Sequence, residues 1–162
     1  MCRRFLAFLF IGGLLLAACA RGASTAMPPD IRYGEDLCTE CNMIISDPRY
    51  AAGYAFEIAP GRYESLAFDD IGDLLAHMEK HPERQIVAWY VHDYTTEEWL
   101  DATAAYYVVS DQIISPMGHG IAAHATQAAA EAMDQAKAGH VLDWNGLLAQ
   151  AKASAGHHAH ID

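Results

Sequence analysis

Two cysteines and a methionine stand within six residues, in the segment Cys38-Thr39-Glu40-Cys41-Asn42-Met43. Thiolate and thioether sulfurs are the ligands that select soft Cu(I), whereas zinc is normally bound by cysteine, histidine or carboxylate. If the segment is extended, Met43 projects from the same face as Cys41, two residues earlier. This spacing favours a copper site. In an oxidising compartment the same cysteine pair is also compatible with a structural or redox-active disulfide.

A second pair of candidate ligands, Met117 and His119, lies far along the chain in the segment Ser-Pro-Met-Gly-His-Gly. These residues are again two apart on a segment that we expect to be extended, and the flanking glycines permit a close backbone approach. We expect the two segments to face each other and to form one pocket of sulfur and imidazole ligands. The alternatives are that Met117 packs in the core and that His119 lies on a surface turn.

The remaining histidines show no established metal-binding motif. His77 and His81 are one helical turn apart but lack the glutamate of H-E-x-x-H. We interpret them as solvated or core histidines, together with His92, His124 and His140. The C-terminal segment 154–162 has a composition typical of disorder, and such a histidine-bearing tract can bind metal loosely; its histidines are His157, His158 and His160.

Two similar successions of strands and helices must position these segments. The first half predicts two strands, a helix and a third strand, at residues 51–58, 63–68, 71–81 and 85–94. We expect Asp69 and Asp70 to cap that helix and Pro82 to end it. The sequence therefore predicts a ββαβ unit over residues 37–96.

The second half repeats the outline in a weaker form. Its predicted elements are two strands, an alanine-rich helix, a short strand and an amphipathic helix, at residues 104–110, 120–125, 126–138, 140–142 and 143–153. We expect Thr126 as the N-cap and Gly139 as the C-cap of the alanine-rich helix. The fold class is therefore α+β, with a second ββαβ-like unit over residues 97–153 in tandem with the first.

The N-terminus reads as an export signal. Arg3 and Arg4 precede an apolar run that is too short to span a bilayer, followed by Ala17-Ala18-Cys19. A cysteine at this place resembles the bacterial lipobox, so we expect removal of residues 1–18, lipid on Cys19 and a tether over residues 19–36. Ala20 favours the outer membrane over the inner one but leaves both open.

Charge excludes one class of partner. Loss of the signal leaves 8 Lys and Arg against 21 Asp and Glu, a formal charge of −13. A chain this acidic repels phosphate backbones, and nothing in it forms a basic stripe. Nucleic acid is therefore not an expected partner.

The lipobox, the C-x-x-C-x-M segment, the Phe-Asp-Asp-Ile junction at residues 68–71 and the Ser-Pro-Met-Gly-His-Gly turn together resemble the NosL family. The resemblance implies ββαβ units akin to a domain of organomercurial lyase, and a periplasm-facing chaperone rather than an enzyme. It implies delivery of Cu(I) to nitrous oxide reductase, with its maturation transporter complex as a further partner. The implied copper-site residues are Cys38, Cys41, Met43 and Met117, with His119 in addition. Asn42 departs from the pattern, which often has glycine there.

Three other functions are compatible with these residues. A thiol-disulfide oxidoreductase would use Cys38 and Cys41, an organomercury-cleaving lyase would use a cysteine pair with an acid, and a passive copper-storage lipoprotein would bind the ion without passing it on.

Overall fold

The computed structural model describes residues 25–158, with the backbone alone for residues 155–158. The predicted signal segment, the predicted lipidation site Cys19 and the tail residue His160 lie outside the described residues. No helix within 25–158 has the length and apolar character needed to cross a membrane.

The first half folds as a four-stranded antiparallel sheet with one helix. Its elements are β1 (Ala52–Ala59), β2 (Arg62–Phe68), α1 (Ile71–Lys80), β3 (Ile86–His92) and β4 (Trp99–Asp101). The strand order is β2-β1-β3-β4. The β1–β2 turn contains Gly61 at a φ of 68°, a conformation that glycine adopts readily. The predicted ββαβ succession is confirmed for this half.

The second half repeats the succession in smaller form, after a short 3-10 helix at Ala102–Ala104. Its elements are β5 (Tyr106–Val109), β6 (Ile121–His124), α2 (Gln127–Lys137), β7 (His140–Leu142) and α3 (Trp144–His158). The antiparallel strands lie in the order β6-β5-β7. The α+β fold class is confirmed.

Strand β4 places the end of the first unit later than the predicted residue 96. Trp99 pairs with His92 of β3, and the two rings lie 3.8 Å apart between centroids. The connecting turn is closed by Asp93, whose carboxylate accepts from the backbone N–H groups of Thr95 and Thr96. The first sheet therefore extends to Asp101, because this hairpin folds back onto β3.

The C-cap of α2 also differs from the prediction. Ala138, not Gly139, adopts the left-handed conformation, with a φ of 48°. Gly139 serves a different purpose, because a Cβ there would lie 2.6 Å from the carbonyl oxygen of Val109. The glycine allows the chain to pass close to β5.

Helix α3 continues through His158, so residues 154–158 are helical and the prediction of a disordered tail from residue 154 is wrong for them. Alanine has the highest helix propensity, and Ser154 Oγ donates to the carbonyl oxygen of Gln150, four residues earlier. The local sequence and this hydrogen bond therefore favour continuation of the helix beyond residue 153.

One hydrophobic core joins the two halves. It contains Tyr54, Phe68 and Leu74 from the first half with Tyr107 and Leu147 from the second. The rings of Trp89 on β3 and Trp144 on α3 lie 5.5 Å apart between centroids. The two ββαβ units are therefore packed as one body around α1 and α3.

Candidate metal centre

The cysteine segment forms a tight turn before β1. A β-bridge joins Leu37 to Ile44. Inside it, the Cys38 N–H donates to the Met43 carbonyl at 2.8 Å, and the Asn42 N–H donates to the Cys38 carbonyl at 3.0 Å. Asn42 has a φ of 60°, which asparagine tolerates better than most residues. The cysteines thus lie on a closed loop and not at the start of a long helix, where a thioredoxin-like site would place them.

Both cysteines of this turn are free thiols, and they lie beside a carboxylate of α1. Cys38 is 2% exposed and donates from Sγ to Asp73 Oδ2 at 3.2 Å. The Cys41 N–H donates to the Cys38 sulfur at 3.5 Å. Within residues 25–154, the ligand atoms of Cys38, Cys41 and Asp73 form a cluster in which all lie within 4.8 Å of one another.

The buried carboxylate of Asp70 fixes the later segment to the first turn of α1. It caps the helix by accepting from the Gly72 N–H at 2.9 Å. Its other oxygen accepts from Ser115 Oγ at 2.6 Å and from the Met117 N–H at 3.1 Å. The loop that carries Met117 and His119 is therefore held against the same helix turn as the cysteines.

His119 reaches the carboxylate that Cys38 also contacts. Its Nε2 donates to Asp73 Oδ1 at 3.3 Å. Gly72 makes room for the imidazole, because a Cβ at that position would lie 2.0 Å from His119 Cγ. One oxygen of Asp73 therefore accepts from the cysteine loop and the other from the loop that carries His119. These two loops are about half the chain apart in sequence.

Protonation within this cluster follows from burial and from these hydrogen bonds. Burial, with hydrogen bonding to Asp73, raises the pKa of Cys41 to about 12. Burial also raises the pKa of Asp73, but hydrogen bonds from His119 and both thiols outweigh it, and the pKa falls below its usual value. The Asp73 hydrogen bond raises the pKa of His119 against the opposing effect of burial. At neutral pH Cys41 is a thiol beside an ionised carboxylate, and a metal must displace its proton to bind sulfur.

The two methionines lie on the same two loops but in solvent. Met43 is 57% exposed and Met117 is 39% exposed. Packing in the core, the alternative considered for Met117, is thus not what the structure shows. Both thioethers are accessible to an incoming ion or protein.

A model of the NosL family matches residues 32–151, which is most of the chain. The chain belongs to the NosL family. It is 29% identical over 146 residues to the copper-binding lipoprotein NosL of Stutzerimonas stutzeri, covering 85% of this chain and 75% of that protein. The crystal structure of the copper chaperone NosL from Shewanella denitrificans has the same fold, with a TM-score of 0.62 at 21% identity; the match covers 75% of this chain and 96% of that one. The family resemblance inferred from the motifs is confirmed.

Sequence reasoning missed Asp70 and Asp73 as parts of the candidate site. The sequence predicts Asp69 and Asp70 as helix caps; Asp70 fills that role, whereas Asp69 accepts from the Ser46 N–H. The available signal was burial: Asp73 lies between Ile71 and Leu74 on a helix whose first turn is buried in the core. A buried carboxylate requires hydrogen-bond donors, and here the donors come from the cysteine loop and from the loop that carries Met117 and His119.

The other histidines have separate partners in this NosL-family fold. His77 donates to Glu40, His92 contacts the Tyr33 hydroxyl, and His124 contacts the Met133 sulfur. His77, His92 and His124 are buried, in agreement with their interpretation as core residues, and none belongs to the thiol–carboxylate cluster.

Proposed function

We propose that this protein binds Cu(I) through Cys38, Cys41 and Met43 of the first loop together with Met117 of the second, with His119 at the edge of the site. The observation that carries the proposal is the shared Asp73 carboxylate, which contacts Cys38, 35 residues before it, and His119, 46 residues after it. The names of its relatives, a copper-binding lipoprotein and a copper chaperone, support copper as the ion.

The donor chemistry fits a soft ion. Thiolates and thioethers favour Cu(I), whereas a carboxylate is a hard ligand better suited to Mg²⁺ or Ca²⁺. Asp73 therefore orients the donors from outside the coordination shell, as outer carboxylates commonly do.

The accessible methionines suit transfer rather than storage. Cys38 is buried, whereas Met43 and Met117 are exposed on the two loops. A partner that presents its own sulfur or imidazole ligands can replace these thioethers first and the thiolates afterwards. Such stepwise exchange passes the ion on, with no substrate turned over.

The recipient in this proposal is nitrous oxide reductase during assembly of its copper-sulfur centre, with the maturation transporter complex as a second partner. Lipid on Cys19 would hold the protein on a membrane facing the periplasm, with the outer membrane favoured. The support is the lipobox-like Ala17-Ala18-Cys19 and the lipoprotein name of a relative.

The test is an anaerobic Cu(I) titration against a competing chelator, using residues 19–162 with Cys19→Ser so that the motif cysteines are the remaining thiols. We expect one Cu(I) per chain or per pair of chains. Met43→Leu and Met117→Leu should weaken binding, whereas Met27→Leu, an exposed methionine paired through its carbonyl with Ser65, should not. Unchanged binding in the Cys38→Ser/Cys41→Ser variant would refute the copper site.

Transfer separates a chaperone from the other functions. Incubation of the loaded protein with copper-free reductase should move copper to the reductase, and a storage protein would keep it. Insulin reduction by the copper-free protein would instead favour a thiol-disulfide oxidoreductase, and cleavage of a carbon–mercury bond would favour a lyase.

A further inference from the structure

Glu40 lies between the two cysteines, yet its carboxylate contacts α1 and is not part of the thiol–carboxylate cluster. The side chain is 13% exposed. Oε2 accepts from His77 Nδ1 at 2.9 Å, and Oε1 accepts from Lys80 Nζ. The residue next to Cys41 is therefore tied to the helix by two donors.

His77, the buried one of the two donors to Glu40, is held in place by its neighbours. His77 is 5% exposed and packs against the rings of Phe68 and Tyr54, at 5.2 and 6.1 Å between centroids. With Nδ1 donating to Glu40, its Nε2 is buried without a partner among the described residues. The Glu40 bond is thus the hydrogen bond that this buried ring makes among the described residues, and together with the Cys38–Asp73 contact it fixes the loop on α1.

One face of α1 contacts both loops of the candidate metal centre. Asp70, Asp73, His77 and Lys80 recur at intervals of three and four residues, which places them on the same side of a helix. Asp70 contacts the later loop, Asp73 contacts both loops, and His77 with Lys80 contacts Glu40. The cysteine loop is thus fixed at two levels of the helix, about one turn or 5 Å apart.

We propose that Glu40 is a positioning residue: by holding the Thr39–Cys41 backbone against α1, it keeps the Cys41 thiol beside Cys38 and slows loss of the bound ion. The inference rests on the proposed copper site and adds a residue that touches no metal. A pre-organised pair of donors binds more tightly than a mobile pair, because less conformational freedom is lost on binding.

Two alternative roles for Glu40 predict different contacts and different results. As a ligand it would have to release both donors and offer oxygen to an ion that prefers sulfur. As a purely structural contact it would affect unfolding but leave the number of sulfur neighbours around copper unchanged.

The experiment compares Glu40→Ala, Glu40→Gln and Lys80→Ala in the chain 19–162 with Cys19→Ser. Thr39→Ala and Glu79→Ala are matched controls, one in the same loop and one on an exposed position of α1. The measurements are Cu(I) affinity, the rate of copper loss to excess chelator, and the sulfur neighbours counted by X-ray absorption at saturating copper.

Glu40→Ala should weaken Cu(I) binding by about 10-fold, the lower end of the effect of removing an outer partner of a metal ligand, because Glu40 acts on Cys41 through the backbone. Copper loss should be faster and the sulfur count lower. Glu40→Gln, which keeps the length and one acceptor oxygen, should recover part of the affinity. Lys80→Ala should cause a smaller change in the same direction, and both controls should match the parent.

The proposal is overturned if folded Glu40→Ala loses copper at the parent rate with the same sulfur count. If Glu40→Ala does not fold, Lys80→Ala decides, because Lys80 is exposed and its loss leaves the core intact; an unchanged rate of copper loss then overturns the proposal. Copper binding that survives Cys38→Ser/Cys41→Ser is a different result, which rejects the copper site itself.

Discussion

Asp73 is the residue that contacts both loops, and each of its two oxygens accepts a different hydrogen bond. One accepts from Cys38 and the other from His119. The smallest residue nearby, Gly72, decides whether His119 can lie there, because its missing Cβ leaves the space that the imidazole occupies. The absence of a side chain at Gly72 therefore allows His119 to reach Asp73.

Gly72→Ala should separate His119 from Asp73 and lower stability. The added Cβ would lie 2.5 Å from His119 Cβ, which rotation of the imidazole does not move, so the later loop itself must shift. Such overpacking costs about 1–3 kcal/mol and outweighs the gain in helix propensity of up to about 1 kcal/mol. Since the Asp73 hydrogen bond raises the pKa of His119, that pKa should fall in the variant. Histidine titration by NMR on the copper-free protein measures it. Asp73→Asn should lower the same pKa, and an unaltered value in Gly72→Ala would show that the space is not needed.

Asp70→Ala should destabilise the fold more than loss of an ordinary helix cap. The variant loses the cap of α1 and leaves Ser115 Oγ and the Met117 N–H without their acceptor. The expected loss is about 2–4 kcal/mol in the free energy of unfolding, measured by urea denaturation. Thr126→Ala is the matched control, because Thr126 caps α2 with one bond to Ala129 and should lose only about 1 kcal/mol. Equal losses would argue against anchoring of the later loop by Asp70.

At the scale of elements, the cysteine turn contains one residue with a positive φ angle. Asn42 has a φ of 60°, a conformation that glycine and asparagine adopt more readily than other residues. Asparagine is therefore compatible with the closed loop at this position.

Asn42→Gly should preserve the stability of the turn, whereas Asn42→Val should lower the free energy of unfolding by about 1–2 kcal/mol, because a branched side chain is strained at positive φ. Urea denaturation of the two variants beside Thr39→Ala, a change in the same loop at negative φ, provides the comparison. A valine variant as stable as the glycine one would contradict this account.

The sequence predicted most elements because their signals are local. Alternation around Pro60-Gly61 identified β1 and β2, and helical spacing from Ile71 identified α1. Strand β4 was not predicted, because three residues are too few to show an alternating pattern. The strand forms because it pairs with β3. The candidate sulfur ligands could be proposed from the sequence because cysteine and methionine are rare and chemically distinctive. Asp73 was missed because its partners lie 35 and 46 residues away.

At the scale of the molecule, Asp93 links the first sheet to the second. It follows β3 and accepts from Thr95, Thr96 and, across the sheets, from the Ala125 N–H at 2.7 Å. Burial raises the pKa of this carboxyl, but the three backbone donors lower it further than burial raises it. The ionised form is therefore the one that stabilises the folded state.

Stability from Asp93 should be lost in acid. Because its folded pKa lies below the unfolded value near 3.8, the contribution is present above that value and disappears as pH falls through the folded pKa. Asp93→Asn should lower the free energy of unfolding by about 1–3 kcal/mol at pH 7, and the difference from the parent should shrink towards pH 3. Urea denaturation across this range measures it. Asp111→Asn, which changes an exposed aspartate in the turn after β5, is the control; a constant difference between Asp93→Asn and the parent would refute the assignment.

The two indoles at the junction of the halves, Trp89 and Trp144, give the protein an internal optical reporter. Their rings are 5.5 Å apart, and the Tyr107 ring is 6.0 Å from that of Trp144. Chromophores this close couple their electronic transitions, so the folded protein should show a paired positive and negative band in circular dichroism. Because the partners belong to different halves, that signal reports their docking rather than the folding of either alone. Its disappearance together with the backbone signal would show that the halves unfold in a single step.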